Sequence, residues 1–319
     1  MTLYVPFDII KIVASYLVLP KYKFLDWIDG EMIEWTFLSA NPHPHAITLL
    51  KQNYDKIDWF SISKNHNAGE IILNHLNNNI NSINDINWYQ LCENTSDIAM
   101  DIIEKNPINK IYMHLAKNSN NRAVCMVKEY LKNIEIIHKE NDELGYDGYL
   151  NESQYDDIYE RLNTNPNDNA VDMLIKNPDN IYYDKLSCNS NDKAIKLLLN
   201  NVEHIDWKLL SKNSNDGAID MLIANPDKIN WDLLSENSND RAIDLLIANP
   251  DRINWNNISD NTNIRVMELL RKHIDSIPKV ENNIYWLWPC LFVNPNIFEI
   301  DVLSYNNAFN DMVCRIDIV

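Results

Sequence analysis

Five glycines serve a chain of 319 residues, and that scarcity removes whole classes of function. A phosphate-cradling loop of the GxGxxG or Walker type cannot be assembled from a few scattered glycines, and β-rich folds with many tight turns are disfavoured. Cysteine is equally rare. Cys92, Cys125, Cys188, Cys290 and Cys314 are odd in number, widely spaced and free of any CxxC pair. They read as thiols of a reducing compartment, not as a disulfide framework or a zinc site. No apolar run reaches the ~18–20 residues that span a bilayer. The longest candidate, from Val5 to Leu19, is interrupted by Asp8, Lys11 and Ser15, and it lacks the cationic start and cleavage site of a signal peptide. The expectation is no membrane association and an intracellular location.

Positive charge is also short. Lys and Arg total 28 against 46 Asp and Glu, a net charge of −18. With no Lys/Arg run, the charge repels a phosphate backbone, so a nucleic-acid partner is not expected and a basic protein is a suitable one. HExxH is absent. His43 and His45 lie in Asn41-Pro42-His43-Pro44-His45 without further ligands nearby, and read as loop or helix-start residues. No catalytic group, metal or cofactor is expected.

What the chain does contain is a repeat, the feature that decides the fold. Residues 207–230 read WKLLSKNSNDGAIDMLIANPDKIN, and residues 231–254 read WDLLSENSNDRAIDLLIANPDRIN. With the aromatic as position 0, ten copies begin at Trp35, Trp59, Trp88, Tyr112, Tyr159, Tyr183, Trp207, Trp231, Trp255 and Trp288. The common interval is 24 residues. Position +3 is always Leu or Ile. Position +6 is Asn in every copy: Asn41, Asn65, Asn94, Asn118, Asn165, Asn189, Asn213, Asn237, Asn261 and Asn294. Position +11 is mostly Ala, with Glu70, Val266 and Glu299 departing.

Each copy reads as two helices. The first is short and carries Trp231 and Leu234 on one face. The second starts after Asn239, a good N-cap, with Asp240 at the positive end of its dipole. It stops at Asn249-Pro250, because the residue before Pro avoids helical geometry. One such pair cannot bury its own apolar face, whereas stacked neighbours can. The predicted fold is all-α: an α-solenoid of about ten short two-helix repeats spanning 31–319, curved as a superhelix, with an N-terminal capping or F-box-like helical segment over 1–30.

The columns carry further expectations. The aromatics Trp35, Trp59, Trp88, Trp207, Trp231, Trp255 and Trp288 read as core buried between repeats, in preference to a platform for stacking bases. The Asn column reads as structural, bonding carbonyls at the end of the first helix or bridging to a neighbouring repeat; the competing reading is an amide ladder in a binding groove. The Asp column at +9 (Asp97, Asp168, Asp192, Asp216 and Asp240) is explained by helix N-terminal placement. An irregular acidic insert over about 131–158 reads as a degenerate repeat or disordered insert, with a projecting recognition loop as the alternative. Smaller insertions fall near Asn78–Ser82 and Pro278–Tyr285. The last copy, 288–319, reads as a polar C-terminal cap.

The segment Val5-Pro6-Phe7-Asp8-Ile9-Ile10-Lys11-Ile12-Val13-Ala14-Ser15-Tyr16-Leu17 reads as an apolar helix. It resembles the start of an F-box. The resemblance covers about 15–20 residues, and the later Cys-Lys-x-Trp-like part is not visible in KYKFLDWIDGEM. It implies docking to the adaptor of a cullin–RING ubiquitin ligase through Pro6, Ile9, Ile10, Ile12 and Leu17. The alternative is a helix that caps the first repeat. The chain as a whole, through copies of the WDLLSENSNDRAIDLLIANPDRIN type after this start, resembles Asn-rich repeat proteins encoded by giant DNA viruses of amoebae. That likeness implies a fold and an origin, and with them a location in the host cytoplasm or the virion.

The functional expectation is a non-enzymatic protein–protein interaction scaffold, a candidate viral substrate receptor for a host ubiquitin ligase. The alternatives are a structural or virion-associated repeat protein, or a helical scaffold for host translation or RNA-handling factors.

Overall fold

In the computed structural model the described residues are 22–26, 33–78, 82–107, 110–144, 152–276, 291–300 and 307–308. The all-α repeat architecture is observed. Helix pairs follow one another as α1 (Trp35–Ser39) and α2 (Pro44–Gln52), α3 (Trp59–Ile62) and α4 (Gly69–Asn78), α5 (Trp88–Glu93) and α6 (Asp97–Lys105). Next come α7 (Tyr112–Leu115) and α8 (Asn121–Leu144), α9 (Glu152–Asn163) and α10 (Asp168–Lys176), α11 (Tyr183–Leu186) and α12 (Asp192–Leu199). The series ends with α13 (Trp207–Leu210) and α14 (Asp216–Ala224), α15 (Trp231–Leu234) and α16 (Asp240–Ala248), α17 (Trp255–Ser259) and α18 (Val266–Ser276).

The boundaries follow local chemistry. Asn239 lies at φ −67°, ψ 135°, and its side chain accepts from the Arg241 N–H. That capping bond satisfies one of the donors a helix N-terminus leaves open. At the other end Asn249 takes φ −133°, ψ 62°, and its side chain donates to the Leu245 carbonyl. Pro250 then opens a single 3-10 turn, Pro250–Arg252, where its missing N–H costs nothing. This 3-10 turn is a third element of the repeat, not anticipated from the two-helix reading.

The core is built from small and aliphatic positions. The +3 residues, Leu38, Ile62, Leu91, Leu115, Leu162, Leu186, Leu210, Leu234, Ile258 and Leu291, are at most 1% exposed. Ala46, Ala99, Ala123, Ala170, Ala194, Ala218 and Ala242 are fully buried. Trp35, Trp59, Trp88, Trp207, Trp231 and Trp255 pack against this core from its edge, mostly buried but less completely than the aliphatic positions. Each stands at the first residue of a short helix, so its indole lies at the border of the apolar layer. Trp288 lies outside the described residues.

Two expectations change. Over 131–144 the insert is neither loop nor degenerate repeat: α8 continues through it to Leu144, and α9 starts already at Glu152. No Gly or Pro interrupts residues 121–144, so nothing stops the helix. The second change concerns the ends. Within 1–30, Tyr22–Phe24 forms a strand, β1, and within the supposed cap Phe298–Ile300 forms β2. They pair antiparallel, with Tyr22 opposite Ile300 and Phe24 opposite Phe298. The ends of the solenoid therefore do not each face water under a cap. They meet.

Candidate interaction surfaces and the closed ladder

The asparagines at +6 show how far this meeting goes. Asn213 Nδ2 donates to the carbonyls of Ser187 and Asn189 in the preceding repeat, both at 2.9 Å, and its Oδ1 accepts the Asn215 N–H at 3.0 Å. The same pattern holds for Asn65, Asn94, Asn118, Asn165, Asn189, Asn237, Asn261 and Asn294. Asn41 completes the set by donating to the carbonyls of Phe292 and Asn294, both at 2.9 Å. The first repeat thus treats the last as its predecessor, and the ladder closes on itself. All ten asparagines are at most 2% exposed. A head-to-tail contact repeated with a constant rotation closes into a ring when the rotations sum to a full turn. The solenoid is such a ring, not an open superhelix.

Two more ladders run beside this one. Asn239, at +8, donates to the Ser214 carbonyl and to Asp216 Oδ1 of the preceding repeat while capping its own helix. Asp97, Asp168, Asp192 and Asp240 receive the same bond from Asn120, Asn191, Asn215 and Asn263. The Asp column is therefore a joint between repeats as well as a helix-start charge. The third ladder uses serine at +4: Ser211 Oγ donates to the Trp207 carbonyl and accepts the Asn230 N–H of the next repeat. Sequence reasoning missed it, although Ser39, Ser63, Ser187, Ser211, Ser235 and Ser259 repeat in register and are fully buried. In the third repeat Cys92 takes this place, and its sulfur receives the Ile111 N–H. Burial pushes that thiol up to about 11. Among the described residues no buried side-chain N or O atom lacks a hydrogen-bond partner.

The closing seam departs from the pattern in one respect. His43 occupies +8 in the first repeat, and its Nδ1 accepts the His45 N–H at 3.1 Å to cap α2. Its ring lies 4.8 Å from Phe298 and 4.8 Å from Tyr22, and His45 lies 5.1 Å from Phe298. Burial lowers the pKa of both imidazoles, and for His43 the neighbouring His45 adds to the effect. The pair is part of an aromatic clasp. Among the described residues no group of three or more His, Cys, Asp or Glu could hold a metal. Lys23 and Glu299 bridge the two strands at 3.1 Å, and Arg271 reaches Asp26 at 3.4 Å.

Other side chains lie outside these ladders. His75 stacks on Trp59 at 3.5 Å and bonds Asp85 and Tyr54 through its two ring nitrogens, tying a turn to its helix. A cleft of about 420 Å³ opens between α8 and α10, lined by Cys125, Leu131, Tyr159 and Met173. On the second helices, Ile175, Leu199, Ile223 and Ile247 are 45–52% exposed. All four stand at +16, in consecutive repeats. One turn earlier, ion pairs cross between neighbouring helices: Lys193–Asp172, Arg241–Asp220 and Arg265–Asp244, each 2.6–2.7 Å. The F-box-like positions Pro6, Ile9, Ile10, Ile12 and Leu17 lie outside the described residues. No helix among the described residues is long and apolar enough to cross a membrane. In comparisons with protein-family models, with curated proteins and with solved structures, nothing matches this chain.

Proposed function

We propose that the protein is a non-enzymatic interaction scaffold, a ring that holds outward-facing side chains in fixed register for a protein partner. The observation that carries this reading is the row Ile175, Leu199, Ile223 and Ile247: aliphatic side chains half exposed at one position of four successive repeats. Apolar groups exposed in a contiguous pattern mark interaction sites, and stacked repeats fix their spacing. The buried amides and hydroxyls support the reading from the other side, because they are occupied in joining repeats. Within it, the F-box-like stretch ahead of Tyr22 is the proposed link to a host ubiquitin-ligase adaptor, and the resemblance to giant-virus repeat proteins supports the choice of a host-cell partner.

The test is affinity capture of the tagged chain from amoebal cells with quantitative mass spectrometry, beside an Ile9→Asp/Leu17→Asp variant. Stoichiometric protein partners are expected, and loss of a ligase adaptor from the variant alone supports the receptor role. Recovery of the chain without any enriched protein overturns the scaffold.

A further inference from the structure

The exposed row has definite ends and a definite charge. At +16 the repeat before Ile175 carries Lys128 and the repeat after Ile247 carries Arg271, so the aliphatic stretch is four repeats long. The 3-10 turns that follow the same four helices each present a carboxylate, Asp179, Glu203, Asp227 or Asp251. The side chains of the last three are 71–83% exposed, and each lies 3.8–3.9 Å from the His204, Lys228 or Arg252 that follows it in the turn, a solvated surface pairing worth little. Between residues 159 and 254 the chain has sixteen Asp and Glu against ten Lys and Arg. The C-terminal ends of α10, α12, α14 and α16, each with its partial negative charge, point to the same region.

Resting on the scaffold reading, we infer that this row docks an extended, basic segment of a partner protein that carries an aliphatic side chain at every third residue. Charge selects the basic character. Shape selects the conformation. Packed neighbouring helices lie about 8–10 Å apart, and ten repeats that close a ring turn by about 36° each on average. Three junctions bend the row through roughly 110°, more than a straight helix can follow. A β-strand advances about 10 Å in three residues but turns alternate side chains to opposite faces. A polyproline II segment has three residues per turn and a rise of about 3.1 Å, so every third side chain returns to one face about 9 Å further on. It has no internal hydrogen bonds to break when it bends.

The probe is a twelve-residue peptide with Leu at positions 1, 4, 7 and 10 and Lys, Arg and Pro between, titrated calorimetrically against the full chain. Controls carry the same composition with the leucines at 1, 3, 5 and 7, or Glu in place of Lys and Arg. Saturable binding of the first peptide is expected, with both controls at least about tenfold weaker and Ile223→Gln/Ile247→Gln weakening the chain by a similar factor at unchanged melting temperature. No binding, equal binding by the respaced peptide, or an unaffected variant overturns the inference. So does a parent chain that sediments as a dimer while the variant is a monomer, since the row would then face a second copy. Capture from cells separates the two levels: partners retained by the variant sink the row but leave the scaffold, whereas no partners from the parent sink the scaffold itself.

Discussion

Asn41 and Asn294 stand 253 residues apart in the chain, and the side-chain amide of the first donates to the backbone carbonyl of the second at 2.9 Å. The bond is the same one that Asn237 makes to Asn213, 24 residues away. A local joint, used nine times to stack repeats, is used a tenth time to close the ring.

Because each amide is fully engaged and buried, the ladder is expected to be intolerant of substitution. Asn213→Ala leaves the Ser187 and Asn189 carbonyls and the Asn215 N–H without their partner. An unsatisfied buried polar group costs about 1–3 kcal/mol, so urea denaturation should show a loss of about 3–5 kcal/mol. Asn213→Asp keeps the shape but aims a carboxylate oxygen at two carbonyls. Its folded pKa is then raised above the ordinary value of about 4. The variant should be destabilised at neutral pH and recover as pH falls toward that value. A pH-independent deficit would contradict this geometry.

The seam predicts its own chemistry. Carbodiimide should join Lys23 to Glu299, which lie 3.1 Å apart across β1 and β2, and the linked peptide should be found by mass spectrometry in the monomer. Asn41→Ala should reduce the yield and raise the radius of gyration in X-ray scattering as the ring opens. An open solenoid would give no such link in the parent chain.

Burial ranks two residues in an order opposite to their size. Leu234 is fully buried, and Trp231 keeps part of its indole exposed at the edge. Leu234→Ala should cost about 3–5 kcal/mol, the upper part of the range for a buried leucine, and Trp231→Ala about 2 kcal/mol. Equal or reversed costs would mean that the indole carries the core.

Acid should loosen the clasp. Burial holds His43 and His45 below their ordinary 6.5, so the unfolded chain takes up protons first. Stability is complete above about pH 6.5 and declines as pH falls toward the lowered folded values. Protonation also removes the Nδ1 lone pair that accepts the His45 N–H. His43→Asn, which installs the residue found at +8 in eight other copies, each with its amide bonded to a Pro, Ser or Thr carbonyl of the preceding repeat, should flatten the decline in melting temperature between pH 6.5 and 5. An unchanged slope would assign it to other groups.

Thiol reactivity should follow exposure. Cys125 is exposed, while Cys92 is buried with its pKa near 11. At pH 8 only about one Cys92 in a thousand is thiolate. Iodoacetamide should therefore modify Cys125 long before Cys92, and parity between the two would disprove the burial of Cys92.

Much of this molecule is legible in residue spacing. Asn239 and Asn249 mark the two ends of α16 because capping and the Asn-Pro stop are local events, settled within four residues. The constancy of Asn at +6 pointed to structure because a joint must recur wherever repeats meet, whereas a ligand site need not. Which carbonyls it meets was not legible: Asn213 looks two residues ahead with its oxygen and a whole repeat back with its nitrogen. The Ser column was visible but unread, since a small hydroxyl in a short helix has several local uses. The insert reads as a degenerate repeat or disordered segment because its acidic, polar residues fit no repeat position, yet an unbroken run without Gly or Pro continues the helix to Leu144.

The sequence by itself determined the repeat, its helices, its caps and its buried aliphatic face, because each depends on neighbours a few residues apart or on one periodic contact. Only the tertiary structure decided that the stack closes. Closure depends on the sum of small rotations over ten joints, about 36° each on average, and a change of a few degrees per joint would leave the same residues in an open superhelix. No single residue encodes that sum. It is recorded where Asn41 meets Phe292 and Asn294, and where β1 pairs with β2.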